Sequence, residues 1–132
     1  MGLTVLDAGV VIALLDGDDS HHAAAIVALR AARERGDAFV LPVSAYAEVL
    51  VAPSRRGRAA VEIVDAFVDA LPAVVEPATR AIAATAAELR SKQQRVRLPD
   101  ALVIATAVIL RADRLLTTDA RWPRVAVKVE VI

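Results

Sequence analysis

The sequence predicts an α/β fold in which helices cover both faces of a mostly parallel central sheet, giving three layers. Short β-prone runs alternate with segments of helical period along the 132-residue chain, and such alternation is typical of right-handed crossovers between parallel strands. The segment Ala101–Leu110 carries no charge on any side. A helix that is apolar all round has to be buried between layers, which fits this architecture.

Turn residues divide the first half of the chain into short elements. We expect a strand over Leu3–Leu6, a short helix over Gly9–Leu15 that stops at Asp16-Gly17-Asp18, a helix capped by Ser20 that runs to about Arg35, a strand over Ala38–Leu41, and a helix over Val43–Val51. Pro53 is expected to end that last helix, because proline removes a helical hydrogen bond. Residues Ser54–Arg58 then form a charged loop.

The second half continues the alternation. We expect a helix over Arg58–Leu71 closed by Pro72, a strand over Ala73–Val75, a helix from about Pro77 to Gln93, a helix opened by Pro99 that runs to Ala112, and a strand over Leu115–Thr117. The tail Val125–Ile132 alternates strictly, as an antiparallel or edge strand would.

The composition indicates one domain over residues 1–132 with a generous core, because 57% of the residues are hydrophobic. No uncharged apolar run approaches the roughly 20 residues of a membrane span. Cysteine is absent and no basic stretch precedes the first apolar run, so we expect an untargeted cytoplasmic protein. The formal net charge is zero, which excludes binding of nucleic acid by bulk positive charge; any RNA contact has to be local.

Four carboxylates are expected at one edge of the sheet, the edge at which parallel α/β folds bind ligands. Asp7 ends the first strand, Asp100 lies in the first turn of a helix, and Asp119 follows the Leu115–Thr117 strand. Glu48 lies one turn into the otherwise apolar helix that follows the second strand. The spacing therefore predicts an acidic pocket.

Each acid also has a purely structural explanation. Asp7 could cap a helix, Asp100 could interact with a helix dipole, Asp119 could form a turn, and Glu48 could be a solvated helix residue. Together, however, like charges about 4 Å apart repel by roughly 4 kcal/mol per pair at an effective dielectric of 20, so such a cluster needs a cation. Oxygen ligands without His or Cys favour Mg²⁺ or Mn²⁺ over zinc, and such a site is suited to phosphoryl transfer.

Four blocks of the sequence resemble those of PIN domains. They are VLDAGVVIALLD at residues 5–16, AEVL at residues 47–50, LPDA at residues 98–101 and LLTTD at residues 115–119, and they occur in order over nearly the whole chain. Their spacing is similar to that of VapC-type toxins of bacterial and archaeal toxin–antitoxin pairs. A single block is a weak signal, whereas four in register are a strong one.

The resemblance implies an endoribonuclease in which Asp7, Glu48, Asp100 and Asp119 are the catalytic residues and bind one or two Mg²⁺ or Mn²⁺ ions. It also implies a cognate antitoxin protein whose C-terminal segment lies over the acidic groove, and a toxin homodimer packed through helices. Thr117 is expected to support the site by hydrogen bonding from the end of its strand. Strand propensity alone explains a threonine there equally well.

Basic residues near these blocks are candidates for RNA contacts. Arg55 and Arg56 are close in sequence to the Glu48 helix and could guide the RNA backbone, although a solvated loop explains them as well. Three more basic residues precede Pro99 and could do the same, although a charged helix end explains them as well: Lys92, Arg95 and Arg97.

One position departs from the family pattern. PIN domains usually have a small hydroxyl or amide residue two positions after the first Asp, where this chain has Gly9, so a hydrogen bond in the site is expected to be lost. Gly9 supports an alternative from another class, a PIN fold with an impaired site that works as a binding module for a partner protein. A receiver-type phosphoacceptor domain ranks third, because neither Lys92 nor Lys128 is placed as that fold requires.

Overall fold

The computed structural model describes residues 2–132, which form five strands and six helices. The strands are β1 (Leu3–Leu6), β2 (Ala38–Pro42), β3 (Ala73–Glu76), β4 (Arg114–Thr117) and β5 (Val129–Val131). The helices are α1 (Ala8–Leu15), α2 (His22–Glu34), α3 (Val43–Arg56), α4 (Arg58–Ala70), α5 (Arg80–Lys92) and α6 (Leu98–Ile109). No helix within residues 2–132 is long and apolar enough to cross a membrane.

The strand order in the sheet is β3-β2-β1-β4-β5, and every pairing between neighbouring strands is parallel. The α/β prediction is therefore confirmed. From β1 the chain builds outward through β2 and β3 on one side, and then through β4 and β5 on the other. The carboxyl ends of β1 and β4 therefore lie on either side of the point at which the direction of strand addition reverses. At such a point a parallel sheet forms a crevice in which ligands bind.

The strand in the C-terminal tail is shorter than predicted and is parallel to its neighbour. Only Val129–Val131 form a strand, and this strand lies parallel to β4 at the edge of the sheet. The antiparallel alternative for Val125–Ile132 is wrong. Alternation of apolar and polar residues identifies the two faces of a strand but not its direction. A parallel strand is possible here because the connection over residues 118–128 is long enough to return the chain to the end of the sheet at which β4 starts.

The core is built by β1 and β4 at the centre of the sheet and by α6 across it. Val5 and Leu115 are completely buried, and six residues of α6 are buried: Ala101, Val103, Ile104, Ala105, Thr106 and Ala107. The helix contacts β1, β2 and β4 and packs along α5. This confirms that the apolar segment lies between layers, and it fixes the position of Asp100 at the start of that helix.

Two predicted helix starts are wrong: one helix has no side-chain cap, and in the other a different residue supplies the cap. Helix α2 begins at His22 without a side-chain cap, and the Ser20 hydroxyl lies 3.3 Å from His21 Nδ1 instead. Helix α5 begins at Arg80 and not near Pro77, because the Thr79 hydroxyl accepts a hydrogen bond from the Ile82 N–H at 3.2 Å. A side-chain acceptor satisfies a free N–H of the first turn, which a proline cannot do.

Helix α3 also continues past the residue that was predicted to stop it. Pro53 lies inside the helix with its ring buried, and the helix ends at Gly57, whose φ is +117° and whose N–H donates to the Pro53 carbonyl at 3.1 Å. The cost of the missing hydrogen bond is offset by burial of the ring. The expected charged loop Ser54–Arg58 does not form, and Arg55 and Arg56 belong to the last turn of α3.

Candidate active site

Asp7 lies directly after β1 and caps helix α1. Its Oδ1 accepts the Ala8 N–H at 2.9 Å, and its Oδ2 accepts the Thr117 hydroxyl at 2.8 Å. Asp7 is 7% exposed and Thr117 is completely buried. The two central strands therefore hold this carboxylate in one orientation, and the cap expected of a structural aspartate coexists with its place in the pocket.

The Thr117 hydroxyl also connects Asp7 to Asp119. It accepts the Asp119 N–H at 3.1 Å while donating to Asp7, so one oxygen fixes both acids. The carboxylate of Asp119 is 24% exposed and is held on its other side by Arg121, whose guanidinium donates to both oxygens at 3.1 and 3.2 Å. Asp119 thus enters the pocket already paired with a cation.

The other two acids come from helices. Asp100 lies in the first turn of α6 with its side chain 16% exposed, and its Oδ2 is 3.7 Å from Arg97 Nε. Glu48 lies on α3, which packs against α6, and is exposed. All four predicted acids therefore come from the carboxyl ends of β1 and β4 or from helices that start at that same edge.

Burial, together with neighbouring negative charges, disfavours the ionised forms of Asp7, Glu48 and Asp100. Burial raises the pKa of Asp7 to about 6, and the charges of Asp100 and Glu48 add to this, while hydrogen bonds from Thr117 and Ala8 work in the opposite direction. Burial followed by the charge of Asp100 raises the pKa of Glu48. The charge of Asp100 thus acts on both other carboxylates and disfavours their ionised forms.

Asp119 and Asp100 differ in how well they are neutralised. The hydrogen bond from Arg121 holds the pKa of Asp119 below its usual value. Burial raises the pKa of Asp100, although Arg97 opposes the shift, and the neighbouring charge of Asp119 raises it further. The pocket therefore keeps an excess of negative charge despite two arginines at its rim.

The donor set fits a hard divalent cation. It consists of carboxylate oxygens, with hydroxyl oxygen beside them, and its uncompensated anions are what such a cation would relieve. Within residues 2–132, no three His, Cys, Asp or Glu side chains are already grouped closely enough to hold a metal ion.

Comparison with known families identifies the fold and its lineage. The family model of the PIN domain matches residues 4–128, nearly the entire chain. The chain belongs to the PIN-domain family. The resemblance drawn from the four sequence blocks is thereby confirmed.

Solved structures share this fold at low sequence identity. A VapBC2 complex from Rickettsia felis, bound to a DNA fragment from its promoter, matches with a TM-score of 0.78 at 14% identity, covering 98% of each chain. The Mycobacterium tuberculosis toxin VapC20, described as cleaving the sarcin–ricin loop, gives 0.72 at 18% identity over 89% of this chain and 91% of its own. A toxin–antitoxin complex from Klebsiella pneumoniae gives 0.70 at 20% identity, covering 89% and 88%. Comparison with curated proteins gave no match.

The candidate RNA contacts lie on a groove and not on a loop of this PIN domain. Arg55 and Arg56 are exposed on the last turn of α3. With Glu48 they line a groove of about 990 Å³ whose other lining residues are mostly apolar, Ile12 and Ile63 among them. The groove lies between α1, α3 and α4, and Glu48 is the one acid of the pocket that lines it.

Sequence reasoning missed Arg121 as a residue of the site. Its guanidinium is 89% exposed and binds Asp119 in a bidentate fork. The two-residue spacing between this acid and Arg121 was the available signal, because an aspartate in a turn commonly accepts the N–H of the residue two positions later. Asp119 does so at 2.9 Å.

Proposed function

We propose that this PIN domain is a Mg²⁺- or Mn²⁺-dependent endoribonuclease that hydrolyses RNA phosphodiesters as the toxin of a toxin–antitoxin pair, acting in the cytoplasm. The main support is the buried carboxylate of Asp7, whose pKa is raised to about 6, mainly by burial, with the charges of Asp100 and Glu48 adding to the shift. Ionisation of this carboxyl costs the folded state stability even with the hydrogen bonds from Thr117 and Ala8, so keeping an acid here favours a functional role.

The four acids would hold the metal and the remaining residues would orient them. Asp7, Glu48, Asp100 and Asp119 are the proposed ligands, and Thr117 fixes the first and last of these through its hydroxyl. A bound divalent ion supplies a Lewis acid that activates water and offsets charge developing on the phosphate.

The two arginines at the rim are suited to receive the RNA backbone. Arg97 and Arg121 are 76% and 89% exposed, and both are paired with acids of the pocket. With those carboxylates holding a metal ion, each guanidinium would be free to bind phosphate oxygens, for which its planar set of N–H donors is well shaped. Arg55 and Arg56 extend this positive rim along the groove.

The groove is also suited to bind a protein partner. Its lining is largely apolar, and Ile12 and Ile63 within it are 39% and 67% exposed. Exposed apolar side chains that share one groove mark a surface suited to binding another molecule. We propose that the C-terminal segment of a cognate antitoxin occupies it and that a basic side chain of this segment enters among the carboxylates. Exposed Val27 on α2, also 67%, leaves further apolar surface for a homodimer packed through helices.

The proposed activity is tested by cleavage of a mixed-sequence RNA in Mg²⁺, in Mn²⁺ and in EDTA. We expect cleavage with either metal and none in EDTA. Glu48→Gln should lower the rate by about tenfold or more, because it removes one charged ligand. Glu62→Gln, the same change on the exposed surface of α4, is the matched control and should cleave like the wild type. Cleavage that persists in EDTA, or that is equal in both variants, would contradict the proposal.

A further inference from the structure

Gly9 lies in the first turn of α1 in ordinary helical backbone, where the conformation does not require glycine. Glycine is a poor helix former, so a different constraint must favour it. A Cβ atom on Gly9 would lie under 3.0 Å from Thr118 Oγ1, closer than real Cβ atoms approach other atoms, whereas the Thr118 Cβ and Cγ2 atoms would be at 3.5 and 3.6 Å. The hydroxyl, and not the methyl group, is therefore seated in the space that glycine leaves.

Thr118 is held in place by the residues of the site. It follows Thr117, whose hydroxyl donates to Asp7, and it precedes Asp119, whose N–H donates back to Thr117. Thr118 itself is half-buried. Its hydroxyl has no hydrogen-bond partner among residues 2–132, so a donor is available at the edge of the acidic pocket.

We propose that Thr118 Oγ1 is a substrate-binding group of this site, which donates a hydrogen bond to a phosphate oxygen of the RNA. The inference rests on the proposed ribonuclease function. Ionised carboxylates only accept hydrogen bonds, so phosphate oxygens drawn into the pocket need donors from elsewhere. Gly9 keeps open the position from which Thr118 donates. The hydrogen-bonding group that position 9 lacks is thereby supplied from the end of β4.

The hydroxyl can be removed, kept or moved by substitution. Thr118→Val removes it at nearly constant shape, and Thr118→Ser keeps it. The double variant Gly9→Ser with Thr118→Ala moves the hydroxyl from position 118 to position 9. The serine side chain fits there, because the Cβ atoms of residues 9 and 118 would be 3.5 Å apart. Thr85→Val, on α5 away from the pocket, is the matched control.

Single-turnover cleavage of a mixed-sequence RNA in Mg²⁺, with thermal unfolding of each protein, tests the proposal. Thr118→Val should cleave about three- to tenfold more slowly than wild type, as expected for one lost hydrogen bond, with its melting temperature nearly unchanged. Thr118→Ser and the double variant should both cleave several-fold faster than Thr118→Val, and Thr85→Val should match the wild type. A wild-type rate for Thr118→Val, or a double variant no faster than it, would overturn the proposal.

Failure of the proposed function would be visible separately, as absence of cleavage by the wild type. In that case the same proteins are compared by their affinity for the RNA, measured by fluorescence anisotropy. Weaker binding by Thr118→Val than by Thr118→Ser and the double variant still supports the hydroxyl as an RNA-binding group. Equal RNA affinities of these three variants would overturn the proposal.

Discussion

Replacing Asp7 with Asn should make the metal-free protein more stable at neutral pH. Asp7 is 7% exposed, and its pKa is raised from 3.8 to about 6, mainly by burial. A shift of about two units corresponds to roughly 3 kcal/mol that ionisation of this carboxyl costs the folded state. Asn has the same shape, can still accept the Ala8 N–H and carries no charge, so most of this cost should disappear.

The pH dependence of the difference follows from the direction of the shift. Below 3.8 the carboxyl is protonated in both the folded and the unfolded state, so wild type and variant should be similar. Between 3.8 and about 6 the unfolded chain releases its proton first, and the wild type progressively loses stability relative to Asp7→Asn. Above that range the difference should be constant.

Thermal unfolding in EDTA at pH values from 4 to 8 measures this effect. For a chain of this size we expect the melting temperature of Asp7→Asn to exceed that of wild type by several degrees at pH 7.5, at about 3 °C per kcal/mol. Mg²⁺ should narrow the difference, because it stabilises only the protein that binds it. A variant that is less stable at pH 7.5, or a difference that does not change with pH, would refute the reasoning.

Asp37→Asn is the matched control at the opposite end of the sheet. The Asp37 side chain is 3% exposed, but it accepts a hydrogen bond from Thr4 at 2.9 Å and pairs with Arg35 and Arg114. Burial works to raise its pKa, yet these partners together hold the pKa below its usual value. Its ionisation therefore stabilises the fold, and Asp37→Asn should lower stability above the unfolded pKa, with the loss shrinking as the pH falls.

Two further predictions concern the arginines of the rim. Arg121→Ala removes the cation that neutralises Asp119, so the affinity for Mg²⁺ measured by calorimetry should rise by up to about fivefold, while RNA binding weakens. An unchanged affinity for Mg²⁺ would show that Arg121 and the metal ion do not compete for Asp119. Replacing both Arg55 and Arg56 with Ala should flatten the salt dependence of RNA affinity by about 0.7 per lost phosphate contact on single strands, and an unchanged slope would assign both side chains to solvent or to the protein partner.

The sequence predicted the features that depend on local pattern. Apolar period and turn residues located every strand and helix, and the rule that parallel strands share a carboxyl edge brought Asp7, Asp100 and Asp119 to the same end of the sheet. The direction of β5 was not predictable, because alternation carries no information on polarity. The continuation of α3 through Pro53 depends on burial of its ring in tertiary packing, which outweighs local propensity.

Contacts between distant segments account for the rest of the site. The close contact between Thr118 and Gly9 joins segments more than a hundred residues apart in sequence. The bidentate pairing of Arg121 with Asp119 depends on the turn after β4. The first of these contacts bears on a conclusion drawn from the local sequence. The glycine expected to cost the pocket a hydrogen-bonding group is the residue that makes room for one.

The central claim, that the acidic pocket is a metal site for RNA cleavage, is tested most directly with Asp100→Asn. The charge of Asp100 reaches the other acids of the pocket, so this change removes a ligand and relieves repulsion at the same time. Asp18→Asn, an exposed aspartate in the turn before α2, makes the same change in charge outside the pocket.

The measurement pairs thermal unfolding, with and without Mg²⁺, with cleavage of a mixed-sequence RNA by wild type, Asp100→Asn and Asp18→Asn. We expect Asp100→Asn to lose cleavage and the Mg²⁺-induced rise in melting temperature, while its metal-free melting temperature stays level or increases; Asp18→Asn should keep both properties. Undiminished cleavage by Asp100→Asn, with a lower metal-free melting temperature, would contradict the account and leave Asp100 as an ordinary helix-start residue.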